Sequence, residues 1–394
     1  MFRCKFRFSR KFKRLVGCDS VNPTMKLTVS LCLCLAATIY ALPTDTDSHA
    51  APIIGGQGKF RYQYMPDLLV PPPGANMTNC HGLVTDAEAN IYLTYQNPGE
   101  PDGDQNCLIR WKPDGTGAEF MTGGNSTLCS GTPHGLKITN EGDDVFLYHA
   151  NNNQKLTKTH LDGTIVWQVN GNFGQDASAA YRPTWFATPP DSKYVYLCDG
   201  YGSNNVYPFD KEGKFTNITY GGKGDRSQHG KFSTNHGCTY DSRTPDDPTI
   251  IVSDRANSRL EFFHYDPETP DKFEYYKTVD LRPRMGAGTL PCNIRMYPKQ
   301  DGRAIIPDLS GPVMVLDNEN EVLFTPINTQ INAIHDTLNL ILLQVISVVN
   351  VSGLLAAEQH KHPHDAMFLP NGDMVVATWA PGRISYWKRL PEEL

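Results

Sequence analysis

The phrase "GTPHGLKI" from Gly131 returns, varied, as "STNHGCTY" from Ser233 and "KHPHDAMF" from Lys361. Each copy opens a unit with one grammar. A lead-in turn gives way to a short apolar strand, a turn of Asp, Asn or Gly, a second strand ending near Asp, and a third strand closed by a hairpin of the D-x-x-G kind. Six units align, at His81, His134, Thr184, His236, Cys292 and His364, spaced by 53, 50, 52, 56 and 72 residues. A unit of about 50 residues with three or four short strands cannot cover both faces of its own sheet, whereas units set around a ring cover one another. The expected fold is therefore all-β, a six-bladed β-propeller over residues 58–394. The segment "GKFRYQYMP" from Gly58 supplies the outer strand that closes the last blade.

Composition agrees with a turn-rich β chain: 33 Gly and 29 Pro, with few helix-like segments. A net charge of −6 leaves no large basic face, so nucleic acid is not an expected partner.

The first 41 residues read as a leader. From Met25 a charged start, an apolar stretch over Leu27–Ala41 and a polar, Pro-containing exit match a secretory signal peptide. Residues 1–24 carry seven Lys and Arg. They are either an upstream extension or the cytoplasmic flank of an uncleaved anchor, the one arrangement that gives a membrane partner. Residues 42–57 read as a linker. Secretion, or residence in the secretory lumen, is the expected location, and the N-x-Ser/Thr sequons at Asn76, Asn125, Asn217 and Asn350 suit it. Six cysteines follow the leader, which permits up to three disulfides. Cys107 and Cys129 flank one hairpin-like segment and are the expected pair.

The spacing of 72 holds an apolar run, Leu338–Val349, that breaks the grammar. It reads as an insertion around residues 325–348, or as a long inter-blade loop or helix. It is too short for a membrane span.

In a propeller the innermost strand of every blade lines the central channel. His134, His236 and His364 hold one repeat position in alternate blades, about 120° apart. Three imidazoles converging in this way suit a zinc ion whose fourth position stays open. The plainer alternative makes them residues of a recurring turn. His81 holds the same position in blade one, as a fourth channel histidine or as a turn residue. Cys292 holds it in blade five, as a buried thiol, a disulfide partner of Cys80 or Cys238, or an extra soft ligand. On the second strands, "CDGYGSNN" brings Tyr201 and "SDRANSRL" brings Arg255. A phenol beside a guanidinium or a metal can have its pKa lowered enough to act as a base.

The phrases "PHGL", "DGY", "DR-x-N-x-R" and "PHD", in this repeat order from about His81 to Trp387, resemble the lyase domain of peptidylglycine alpha-amidating monooxygenase, with NHL-like repeats. The monooxygenase domain of that bifunctional family is absent. The resemblance implies cleavage of a peptide ending in alpha-hydroxyglycine into a peptide amide and glyoxylate, with the substrate in the central channel. It implies zinc on His134, His236 and His364, Tyr201 as base and Arg255 against developing charge. It also implies a structural calcium at Leu83, Leu136 and Asp365, where carbonyls and a carboxylate are suitable donors. Three positions depart from the family: Gln96 stands near a second arginine's place, His362 in place of a methionine, and Gly202 in place of a cysteine. A non-catalytic secreted propeller that binds a ligand or protein partner is the alternative.

Overall fold

The computed structural model describes residues 51–98, 106–121, 126–171, 180–297, 299, 301–317, 344–355 and 360–392. Six antiparallel sheets form the expected six-bladed β-propeller. Blade one comprises Asn79–Thr85, Ile91–Gln96, Leu108–Trp111 and Glu119–Phe120; blade two Pro133–Glu141, Asp144–Asn151, Lys155–Thr159 and Ile165–Asn170. Blade three comprises Trp185–Ala187, Tyr194–Cys198, Asn205–Asp210 and Tyr220–Gly221; blade four Asn235–Asp241, Thr249–Asp254, Arg259–Tyr265 and Phe273–Asp280. Blade five comprises Arg295–Tyr297, Arg303–Pro307, Pro312–Asp317 and Gln344–Asn350; blade six Pro363–Phe368, Met374–Thr378 and Arg383–Arg389.

Apolar clusters lie between successive blades all the way round, including one shared by blades six and one. The blade-four strand Thr249–Asp254 shows how the sequence builds two of them. Its side chains alternate, so Ile250 and Val252 join the cluster with blade three, and Ile251 joins the cluster with blade five. The strand is buried on both faces, which is why it reads "TIIVSD" without a polar stripe.

Phe60–Met65 pairs antiparallel with Arg383–Arg389, Tyr62 opposite Arg389, and so closes the ring as expected. Ile54–Gln57 then pairs with Phe60–Gln63 as a fifth strand, so this end of the 42–57 segment belongs to the blade. The apolar run Leu338–Val349 also divides. Gln344–Asn350 is the outer strand of blade five, paired with Pro312–Asp317. Its Val349 is buried against Val313 and Val315, so this end of the run belongs to the blade-five packing. The rest of the expected insertion, the leader at 1–41 and the Asn125 sequon lie outside the described residues.

Cys107 and Cys129 form the expected disulfide, with Cα atoms 5.3 Å apart. It joins the start of a blade-one strand to the short helix Ser126–Cys129 before blade two. Cys80, Cys198, Cys238 and Cys292 are free and buried, so a Cys292 pairing with Cys80 or Cys238 does not occur. Among the described residues no helix is long and apolar enough to cross a membrane.

Candidate metal centre in the channel

Four of the six innermost strands carry a register break, and each break falls at a histidine. The shifts lie between Cys80 and Leu83, Pro133 and Leu136, Asn235 and Gly237, and Pro363 and Asp365. His81, His134, His236 and His364 occupy them. A bulge re-aims one side chain without ending the strand. Here it brings together four imidazoles that are each 0–1 % exposed. Ring centroids are 4.4 Å apart for His81 and His134, 4.7 Å for His134 and His364, and 4.8 Å for both His134–His236 and His236–His364. His81 is thus a channel residue. A channel histidine and a turn histidine differ here by the bulge, which a single sequence does not display.

The glycine after the histidine has a steric purpose. A Cβ on Gly135 would lie 2.2 Å from the carbonyl oxygen of Thr184, and one on Gly237 would lie 2.6 Å from that of Cys292. Only glycine lets the next blade approach so closely. Those same two carbonyls then orient the rings. His134 Nδ1–H donates to Thr184 O at 2.8 Å, and His236 Nδ1–H donates to Cys292 O at 2.7 Å. A carbonyl can only accept, so each ring carries its proton on Nδ1 and turns the Nε2 lone pair toward the channel.

Those lone pairs are poorly satisfied within the protein. His134 Nε2 and both ring nitrogens of His81 and His364 are buried without a hydrogen-bond partner. Leaving such groups unpaired is costly, and a cation is the natural recipient of several converging lone pairs. His81, His134 and His364 each bring a nitrogen within 4.8 Å of the others; His236, His364 and the Cys292 sulfur form a second such group. A tetrahedral site with bonds near 2.1 Å needs nitrogens about 3.4 Å apart, so a modest inward movement suffices. The donor set therefore fits a borderline-soft ion such as zinc. Burial holds His134 down to about 3, with Arg255 lowering it further against the Thr184 hydrogen bond. Burial likewise puts His81, His236 and His364 well below the usual histidine range. All four are neutral near pH 7, the form that binds metal. Burial pushes the Cys292 thiol up to about 12, so it is not a thiolate in the metal-free protein.

Tyr201 and Arg255 arrive from matching turns at the ends of second strands. Asp199 accepts from Arg182 N and Ser203 N, and Asp254 from Ser233 N and the Asn257 amide, so each carboxylate folds the loop after it over the channel mouth. This explains the recurrent Asp of the repeat grammar. The Tyr201 hydroxyl donates to His236 Nε2 at 3.0 Å and accepts from Arg255 at 2.9 Å. The ring is partly open to solvent while its hydroxyl faces inward. The phenol pKa is raised rather than lowered: burial outweighs the nearby Arg255 charge. Tyr201 therefore keeps its proton in the metal-free chain. Beside it opens a cleft of ≈ 710 Å³ bounded by Thr132, Asn152, Gln154, Tyr181 and Arg182. Trp185 of blade three lies about 6 Å from the rings of His134, His236 and His364 and walls that side of the channel.

Gln96 brings no charge to the arginine's place, and one end of its amide is already engaged. Its side-chain amide meets that of Asn79 at 2.9 Å, within blade one. The supposed calcium ligands are held differently again. Asp365 and Leu83 come together, but they do so around the guanidinium of Arg295, which donates to the Asp365 carboxylate and to the Leu83 carbonyl. The "CNIRMY" phrase that carries Arg295 gave no hint of this, because the partners lie in two other blades.

No family model matches the chain. It is 28% identical over 184 residues to peptidylglycine alpha-amidating monooxygenase of Rattus norvegicus, covering 44% of this chain and 18% of that protein. It is 31% identical over 144 residues to the Mus musculus protein, covering 34% and 14%. The chain thus spans less than a fifth of the length of these curated relatives. Together with the six blades, they bear out its resemblance to the amidating lyase domain. A solved gluconolactonase candidate superposes with a TM-score of 0.50 at 12% identity, over 89% of this chain and 98% of the other, a likeness of fold alone.

Proposed function

We propose that the channel is a zinc-dependent carbon–nitrogen lyase site acting on peptides that end in alpha-hydroxyglycine. The observation that carries this reading is the meeting of unclaimed imidazole lone pairs with a Tyr201–Arg255 pair hydrogen-bonded to one of those imidazoles. His134, His236 and His364 are the assigned ligands, with His81 within reach of the same point. A zinc ion held there supplies a Lewis acid in the channel. With the His236 lone pair engaged by such an ion, the Tyr201 hydroxyl would lose its acceptor and be free to turn to substrate. Added positive charge nearby also counteracts the burial that keeps the phenol protonated. Tyr201, its own proton released to solvent, would then take the proton of the substrate hydroxyl and hold it for the leaving nitrogen. The carbon–oxygen bond becomes the carbonyl of glyoxylate, the carbon–nitrogen bond breaks, and the departing amide nitrogen takes up a proton. Arg255 stays beside the charge that develops. The partner is thus a small peptide end in the channel and the adjoining cleft.

A secreted location belongs to the same reading. It is supported by the Cys107–Cys129 disulfide and by the exposure of Asn76, Asn217 and Asn350, three of the four sequon asparagines.

Metal analysis of the purified protein, followed by a glyoxylate-release assay on an alpha-hydroxyglycine peptide, tests the proposal. Near-stoichiometric zinc with glyoxylate formation is expected; a protein that holds no divalent metal ends it. A non-catalytic, ligand-binding propeller is the second reading, and Gln96 favours it. With Gln96 tied to Asn79, one arginine remains where the family uses two. Bound zinc without glyoxylate release would select this reading.

A further inference from the structure

Asp365 occupies, in blade six, the position that glycine fills after the channel histidine in blades one, two and four (Gly82, Gly135 and Gly237). Its carboxylate is fully buried and stands one step along the channel from the histidines. It accepts from Leu83 N at 2.7 Å, Ala366 N at 2.9 Å, the Asn293 amide at 3.0 Å and Arg295 Nε at 3.1 Å. A second Arg295 nitrogen donates to the same carboxylate and also to Leu83 O. A carboxylate and a carbonyl converging in a buried place are hard oxygen donors, of the kind calcium takes in sets of six to eight. Calcium does not fit the residues present. Both oxygen-bearing groups are already engaged by one guanidinium, and the carboxylate is further used by the Leu83 and Ala366 amides.

We infer that Arg295 is the cation of this site, built into the chain, so that the base of the channel holds together without calcium. Local charge supports the assignment. Lys137, the residue after Leu136, is buried on the blade-two inner strand and donates to Thr239 Oγ1 of blade four at 3.0 Å. A divalent ion would add its charge beside a guanidinium that already pairs with the one carboxylate. Arg295 reaches from blade five to blades six and one, tying three inner strands at one point. Asp365 directly follows His364, whose ring has no hydrogen-bond partner of its own. The Arg295–Asp365 pair therefore anchors the backbone next to that histidine. An arginine cannot be removed by dilution or chelation, and it is charged at all working pH values.

The test uses the full chain in resin-treated, chelator-free buffer. Wild type should melt at the same temperature with and without millimolar calcium and should bind none by equilibrium dialysis. Arg295→Ser opens the oxygen site. It should melt several degrees lower, and millimolar calcium but not magnesium should restore the loss. The inference is overturned if wild type binds about one calcium that Asp365→Asn loses, or if Arg295→Ser melts like wild type with no response to calcium. Should Arg295→Ser fail to fold, the wild-type dialysis and its Asp365→Asn control decide alone.

Discussion

The hydroxyl of Tyr201 donates to Nε2 of His236 at 3.0 Å, so the assigned base and an assigned metal ligand satisfy each other in the metal-free protein. The pair would work as an exchange: a cation taken by the imidazole would release the phenol. Tyr201→Phe should then retain the metal and the fold, because the ring still packs on His134 and His236, with centroids 5.4 and 5.3 Å away. Glyoxylate release should fall by about 10²–10⁴-fold in kcat, the usual worth of a positioned acid–base group. A fall confined to KM would assign Tyr201 to binding instead.

The four imidazoles should be unequal in holding metal. His236 is oriented by Cys292 O, whereas neither nitrogen of His81 has a partner to fix its tautomer. Ligands so oriented commonly bind about 10–100-fold better than unsupported ones. His236→Ala should lose stoichiometric zinc. His81→Ala should keep it with an affinity reduced by about tenfold or less, since both carbonyl-oriented imidazoles, His134 and His236, remain. Competitive titration against a chromogenic chelator measures both.

Gly135→Ala probes the close approach of blades two and three without touching a ligand. A Cβ there would meet backbone at 2.2 Å, which side-chain rotation cannot relieve. Overpacking of this kind costs about 1–3 kcal/mol, and here it also displaces the Thr184 carbonyl that orients His134. Lower thermal stability together with weaker zinc binding is expected. A Tm within about a degree of wild type, by calorimetry, would show that the strands can separate freely.

Acid should destabilise the metal-free protein earlier than its carboxylates alone would cause. Burial lowers His134 and His149 to about 3 and His360 to about 4, against an ordinary value near 6.5. A histidine lowered in the folded state favours folding fully above the unfolded value. That contribution is lost as pH falls below 6.5, because the unfolded chain takes up the proton first. Each such group contributes a slope of about 1.4 kcal/mol per pH unit. Chemical denaturation between pH 7 and 5 should show several protons taken up on unfolding, and one fewer in His149→Gln.

The fold was legible because its signal was repetitive. One phrase written at His81, His134, His236 and His364 gave the blades, and the alternating burial of Ile250, Ile251 and Val252 follows from the same pattern. Tyr201 and Arg255 could be nominated, but not their shared hydrogen bond, since neither lies near the other in sequence. The direction of the Tyr201 shift was misjudged because desolvation depends on what covers a side chain, which sequence does not state. Arg295 escaped for a related reason. An arginine at an ordinary blade position becomes an internal cation only once Asp365 and Leu83 are brought to it from other blades.

The strand that closes the ring sets a timetable for synthesis. Arg389 Nε donates to Lys59 O across 330 residues, and Phe60–Met65 has only the Ile54–Gln57 hairpin partner until Arg383–Arg389 exists. During translation the early strand leaves the ribosome as an open edge, and it must be shielded until the last strands emerge. Blade six is then the final blade to form, and His364 with it. The channel acquires its full set of imidazoles only in a finished molecule, so an incomplete chain cannot assemble the candidate metal centre.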